Sequence, residues 1–178
     1  MKEIRWHGRG GQGAFTASKI LGAAAVLDGR YALAFPSFGP ERRGAPIQAF
    51  TKISDKPIIN RSTIKKCDYI IYLDETLYCE DAVLDLKEGG LVLVNSRQPN
   101  KYTHKNVLAV DADAISEAIL KRPVSNTAML SALTVASGIT ARESVKKALA
   151  FYLPAKIVPK NEELVDTVAE HLQEWRSL

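Results

Sequence analysis

Six residues after the start of the chain, the stretch HGRGGQG (His7–Gly13) places Gly8, Gly10 and Gly13 at the spacing G-x-G-x-x-G. A short hydrophobic segment, Ile4 to Trp6, precedes it, and an Ala-rich run from Ala14 to about Leu27 follows, with Thr16, Ser18 and Lys19 as its main polar positions. A strand that stops at a glycine cluster and restarts as a largely buried helix is the opening of an α/β fold. Without Cβ atoms, such a loop lets backbone N–H groups and a helix N-terminus come close to an anion. The dinucleotide version of this loop also needs an Asp or Glu near the end of the second strand, to hold a ribose. Here the second strand-like run, Tyr31 to Phe35, ends at Pro36 with no acid beside it. Asp28 precedes that run and reads as part of a turn with Gly29. The missing acid disfavours the dinucleotide reading and leaves two others ahead of it: a tight turn where another backbone packs closely, or a loop that meets an anionic group or a neighbouring subunit. The polarity of His7, Arg9 and Gln12 favours the second.

Further along, Ile47 to Ile53 alternates as a partly exposed strand does. Ser54-Asp55-Lys56-Pro57 then reads as a turn, and Ile58-Ile59 as a returning strand, so a hairpin would add antiparallel strands to the sheet. Tyr69 to Leu73 and Leu91 to Val94 are continuous apolar runs, as in strands covered on both faces. Between them, Thr76 to Leu86 reads as a helix closed by Gly89-Gly90. Val107 to Val110 is a further strand and Ala112 to Leu120 a helix. Three more helices are expected over Thr127 to Ser137, Ala141 to about Tyr152 and Glu162 to Arg176. Thr140 and Glu143 have the spacing of a capping box for the second of these, and Asn161 can cap the third. Leu164, Val165, Val168, Leu172 and Trp175 fall on one helical face, which would dock on the rest. The alternation of strands and helices predicts a three-layer α/β/α fold with a mixed, mostly parallel sheet, in a single domain over 1–178 with the helices of about 127–176 docked on it.

Composition narrows the chemistry. The 178 residues suit one domain, and the 24 basic and 20 acidic residues are interleaved, giving a formal charge of +4 and a pI of about 9.0. A nucleic-acid binder would concentrate its Lys and Arg on one helix or stripe. Cys67 and Cys79 are the only cysteines, and an iron–sulfur cluster needs about four thiolates, so the chain cannot complete one alone. Both read as reduced core or near-core thiols. His7, His104 and His171 are scattered, with no i, i+4 pair, so no metal site is expected. Trp6 reads as a core or interface anchor. The first residues lack the apolar stretch of a signal peptide, and no apolar run approaches the ~20 residues of a membrane span, so a soluble, cytoplasmic protein is expected.

The blocks HGRGGQGAFTASKIL and AFPSFGPERRGAPIQAFTKIS together resemble the γ subunit of the pyruvate and related 2-oxoacid:ferredoxin oxidoreductases. The resemblance continues in order through Asp68-Tyr69-Ile70-Ile71, Leu73-Asp74, the run Gly90 to Asn95, and Asn126 to Leu130. The Glu41-Arg42-Arg43-Gly44-Ala45-Pro46 version is more like pyruvate- and branched-chain-type members than 2-oxoglutarate-type ones. The resemblance implies an accessory subunit in an enzyme that decarboxylates a 2-oxoacid oxidatively to an acyl-CoA and passes electrons to ferredoxin. It implies α, β and δ partner subunits, which carry thiamine diphosphate, Mg²⁺ and iron–sulfur clusters, and a chain inactive by itself. Coenzyme A becomes a candidate ligand of the γ chain. Asp28-Gly29-Arg30 does not resemble a thiamine diphosphate site.

Within the second block, Pro36, Gly39, Pro40, Gly44 and Pro46 stiffen a loop that carries Glu41, Arg42 and Arg43. Either Glu41 pairs with one arginine, or the arginines meet coenzyme A phosphates or an acidic patch on a partner. No catalytic residue is expected on this chain. His7, Arg9, Gly10, Gly11, Gln12, Glu41, Arg42 and Arg43 are the candidate ligand- or interface-facing positions. A freestanding NAD(P)-dependent reductase and an anion- or nucleotide-binding regulatory module are the alternatives.

Overall fold

A computed structural model describes residues 1–37 and 44–176, with side chains through 172. Six strands form one sheet: β1 (Lys2–Arg9), β2 (Tyr31–Pro36), β3 (Pro46–Ser54), β4 (Cys67–Tyr72), β5 (Leu86–Asn95) and β6 (Val107–Val110). The helices are α1 (Ala14–Leu27), α2 (Ala112–Leu120), α3 (Asn126–Ser137), α4 (Arg142–Leu149) and α5 (Val158–Arg176). The strand order is β2-β3-β1-β4-β5-β6. β3 pairs antiparallel with both β1 and β2, while β1, β4, β5 and β6 pair in parallel, so only β3 runs against the others. The fold is therefore α/β with a mixed, mostly parallel sheet.

The sheet's two faces are covered differently. The helices share one core with Ile4, Trp6, Ala49, Ile53, Ile71 and Leu93. Trp6 is fully buried there, and its Nε1 donates to Thr51 Oγ1 at 3.1 Å. The opposite face buries Phe50, Ile64, Cys67, Ile70, Tyr72 and Val92 beneath short 3₁₀ turns, Glu75–Leu77 and Glu80–Asp85 among them.

Those turns replace the helix expected over Thr76 to Leu86. Tyr78 and Cys79 are extended (φ −72°, ψ 141° and φ −133°, ψ 149°) and divide the segment. The Tyr78 ring packs edge-on against Tyr72 and Tyr102, a tertiary contact that outweighs local helix preference. Gly89 and Gly90 do not cap a helix either; they lie inside β5. A Cβ on Gly90 would sit 2.9 Å from the Lys87 carbonyl oxygen and 3.0 Å from that of Asp68.

Three further expectations are corrected. β3 is mostly buried rather than partly exposed, because β1 and β2 flank it on both sides. Even Lys52 is buried; its Nζ donates to the Asn60 carbonyl at 3.2 Å and lies 3.7 Å from Glu3. With both edges of β3 occupied, Ile58-Ile59 cannot pair with β3 as a hairpin partner, and Ile59 is 91% exposed. Neither sequence-derived cap forms. α5 starts three residues before Asn161, whose Nδ2 donates to the Ile157 carbonyl. Glu143 makes no box with Thr140; the carboxylate of Asp28 accepts from Ala141 N–H at 2.9 Å and from the hydroxyls of Thr140 and Ser144. Trp175 lies outside the described side chains.

Candidate functional site

β1 and β4 run in parallel, and their carboxyl ends lie side by side, with Leu73 N–H donating to the His7 carbonyl at 2.8 Å. In open α/β sheets, the crevice outside the carboxyl ends of neighbouring strands is where ligands collect. The glycine loop leaves β1 at this edge. Gly11 (φ 97°) and Gly13 (φ 82°) take left-handed backbone conformations that turn the chain into α1. Gly13 also lets α3 approach: a Cβ there would lie 2.5 Å from Asn126 Nδ2.

The loop is braced from two sides. Gly10 N–H donates to the Ala45 carbonyl at 2.9 Å, and Gly44 N–H donates back to the Gly10 carbonyl at 3.1 Å. The described end of the second sequence block is thus tied directly to the first. On the other side, Asp74 follows β4 and collects the polar side chains. Its carboxylate accepts from Arg9 Nε at 3.0 Å, Gln12 Nε2 at 3.2 Å and Thr76 N–H at 3.0 Å. Partial burial disfavours ionisation of Asp74. Hydrogen bonds from the Thr76 hydroxyl and N–H, then from Gln12 and Arg9, outweigh it and hold the carboxyl below its ordinary range.

Each nitrogen of Arg9 makes one hydrogen bond, since Nη1 also reaches the Gly44 carbonyl at 3.2 Å and Nη2 the Thr76 hydroxyl at 2.8 Å. Gln12 Oε1 accepts from Arg9 N–H at 2.6 Å. These side chains tie the loop to the end of β4 and to Gly44, while Gly11 is exposed and no side-chain hydrogen bond caps α1 at Gly13. An uncapped helix N-terminus behind exposed glycine backbone suits an anion or an acceptor-rich partner surface.

His7 stands apart from this network. Its ring stacks on Tyr72 at 4.4 Å between centroids, on the sheet face opposite the helices. Burial, helped by the nearby Arg5 and opposed by Asp85, lowers its pKa to about 4, so it is neutral at pH 7. Of the sequence-derived candidates, Arg9, Gly10, Gly11 and Gln12 come together at the sheet edge. Glu41, Arg42 and Arg43 lie outside the described residues. Asp74, Thr76 and Asn126 are additions. The available signal for Asp74 was its place directly after an apolar strand run, at the carboxyl end where such sheets gather ligands.

The dinucleotide requirement fails for a topological reason as well. The strand following α1 is not the neighbour of β1, because β3 is inserted between them. An acid at the end of β2 would therefore stand two strands away. Among the described residues, no group of three His, Cys, Asp or Glu side chains is placed to hold a metal ion. Cys67 is buried, whereas Cys79 is exposed rather than near-core. The Asp28 carboxylate is committed to the start of α4, so it is not available to a cofactor.

Comparison with known proteins places these features in a family. Residues 3–170 match the family described as pyruvate ferredoxin/flavodoxin oxidoreductase. The chain is 43% identical over 174 residues to the pyruvate synthase subunit PorC of Methanothermobacter marburgensis, covering 97% of this chain and 98% of that protein. It is 44% identical over 169 residues to the pyruvate/ketoisovalerate oxidoreductases common subunit gamma of Thermococcus litoralis, covering 90% and 91%. Among solved structures, the pyruvate oxidoreductase subunit PORC of Thermotoga maritima superposes with a TM-score of 0.81 at 35% identity, over 95% of each chain.

Proposed function

Because this chain belongs to the pyruvate ferredoxin/flavodoxin oxidoreductase family, we propose that it is the γ subunit of a 2-oxoacid:ferredoxin oxidoreductase with pyruvate as the 2-oxoacid. The assembled enzyme would convert the 2-oxoacid and coenzyme A to acyl-CoA and carbon dioxide, with two electrons passing to ferredoxin. In this reading α, β and δ subunits surround the chain in the cytoplasm and hold thiamine diphosphate, Mg²⁺ and the iron–sulfur clusters. The donor set here does not fit those groups: there are two cysteines, one buried, and the Asp28 carboxylate is already spent on α4.

One observation carries the role of the γ chain, namely that the two sequence blocks of the resemblance are hydrogen-bonded to each other through Gly10, Gly44 and Ala45. In this reading the glycine loop, with Gly44 and Ala45 bonded to it, faces coenzyme A phosphates or a partner subunit, and Glu41, Arg42 and Arg43 are the proposed contacts to the same group.

Co-expression with candidate partner subunits tests the assignment. The expected outcome is a complex that reduces ferredoxin only when both pyruvate and coenzyme A are supplied. A chain that instead binds NAD(P)H and associates with nothing would overturn it. In the complex, Arg42→Ala and Arg43→Ala distinguish a coenzyme A contact from a subunit contact. A phosphate contact predicts a coenzyme A KM raised about ten- to hundredfold, an effect that shrinks at high salt, and an unchanged pyruvate KM. An unchanged KM with easier dissociation of the complex assigns the arginines to the subunit interface.

A further inference from the structure

A cavity of about 400 Å³ opens between the α2–α3 loop, the start of α3 and the start of α5. Its polar end is the first turn of α3, a twelve-residue helix whose cap residue, Ser125, makes no side-chain cap hydrogen bond. The first N–H groups of a helix need acceptors from outside it, and a buried helix end without them is unusual. This end is buried: Ser125 and Asn126 are each 6% exposed and Thr127 is 1% exposed. Thr127, which lines the cavity, has a buried Oγ1 with no hydrogen-bond partner. Sitting in the first turn, it has no helical carbonyl one turn back to accept its proton.

The charge around the cavity has one sign. Arg122, Lys156 and Lys160 line it and no Asp or Glu does. Among the described residues, Arg122 and Lys156 have no carboxylate partner, and Lys160 reaches only the exposed Glu163, at 3.8 Å. The remaining wall is apolar apart from Asn161, whose Nδ2 donates to the Ile157 carbonyl. Val124 and Ile157 are 41% and 37% exposed there, beside Leu153.

We infer that this cavity binds a small phosphate ester. The phosphate would sit on the α3 N–H groups and the Thr127 hydroxyl, balanced by Arg122 and Lys156, with its carbon skeleton against Val124 and Ile157. A phosphate dianion matches two unpaired cations plus a helix N-terminus, and its oxygens satisfy several donors at once. The volume exceeds that of a bare phosphate and falls within the range of small-molecule sites, which is what an ester with a short organic body requires. This inference does not depend on the enzyme assignment above.

Calorimetric titration of the full chain at low salt, with inorganic phosphate and with glycerol 3-phosphate, tests it. One-to-one binding of both is expected, with the ester tighter. Thr127→Val and Lys156→Ala should each weaken ester binding about tenfold, whereas the exposed control Lys147→Ala leaves it unchanged. Thr127→Val deletes a hydroxyl that has no partner, so the ligand-free melting temperature should not fall. Absence of binding, or wild-type affinity in both variants, overturns the site. An ester that binds no tighter than inorganic phosphate overturns the apolar half, and a lower ligand-free melting temperature for Thr127→Val overturns the unpaired hydroxyl on which the site rests.

Discussion

His7 opens the glycine block yet turns into the sheet, where it lies against Tyr72 with its Nε2 buried and unpartnered. That position is suited to a neutral ring, and the pKa of about 4 compares with an ordinary 6.5. Above pH 6.5 the ring is neutral in both the folded and unfolded chain and contributes no pH dependence. Below it the unfolded chain takes up a proton that the folded chain refuses until about pH 4, so stability falls across this window. At one and a half units below the ordinary value, near pH 5, the loss amounts to about 2 kcal/mol at ~1.4 kcal/mol per unit. His7→Phe keeps a ring on Tyr72 and removes the titration. Urea unfolding should therefore show wild type losing about 2 kcal/mol relative to His7→Phe between pH 7.5 and pH 5. A gap that stays constant with pH would show that the folded protein accommodates the imidazolium.

At the level of elements, a single residue from one helix end organises another helix. Asp28 closes α1 and caps α4 across 113 positions of sequence, accepting from Ala141 N–H and from the hydroxyls of Thr140 and Ser144. Burial works against its charge, but the bonds from Ser144, Thr140 and Ala141, then Arg30, prevail and keep its pKa below the ordinary value. The stabilisation is therefore present at neutral pH and lost as pH falls below the ordinary carboxylate range. Asp28→Ala should cost about 1–2 kcal/mol at pH 7. It should speed amide exchange over 141–149 more than over the sheet; uniform acceleration would argue against a local cap. This contact also shows where sequence reading stops. The ends of α1, α2 and β6 were legible because apolar periodicity and punctuation are local. The capping of α4, the extended Tyr78 and the unpaired Ile58-Ile59 depend on partners far away in sequence. The candidate site divides in the same way. Its glycines and Arg9–Gln12 were visible as a motif, whereas the Asp74 brace and the Asn126 contact exist only once β4 and α3 are placed.

Considered whole, the molecule has a helix-covered face and a thinly covered face, and among the described residues no group of three His, Cys, Asp or Glu side chains is placed to hold a metal ion. Cys67 lies under the thin face with a thiol whose pKa burial pushes up to about 11, against weaker and partly cancelling effects of Arg5 and Asp85. A thiol so shielded is slow both to ligate iron and to react, because both need the thiolate. Cys79 is exposed. A dimer does not supply the missing ligands, since two copies would bring together two accessible thiols, while a cluster takes about four. Anaerobic incubation of the isolated chain with iron and sulfide, followed by desalting, should leave it colourless and free of acid-labile sulfide. A maleimide should label Cys79 quickly in the native protein and Cys67 only after denaturation. Two fast thiols, or retained visible absorption, would mean that Cys67 is reachable and that the chain can contribute to electron transfer. One fast thiol and a colourless protein would leave the electrons to partner subunits and the γ chain with the shaping of a surface beside them.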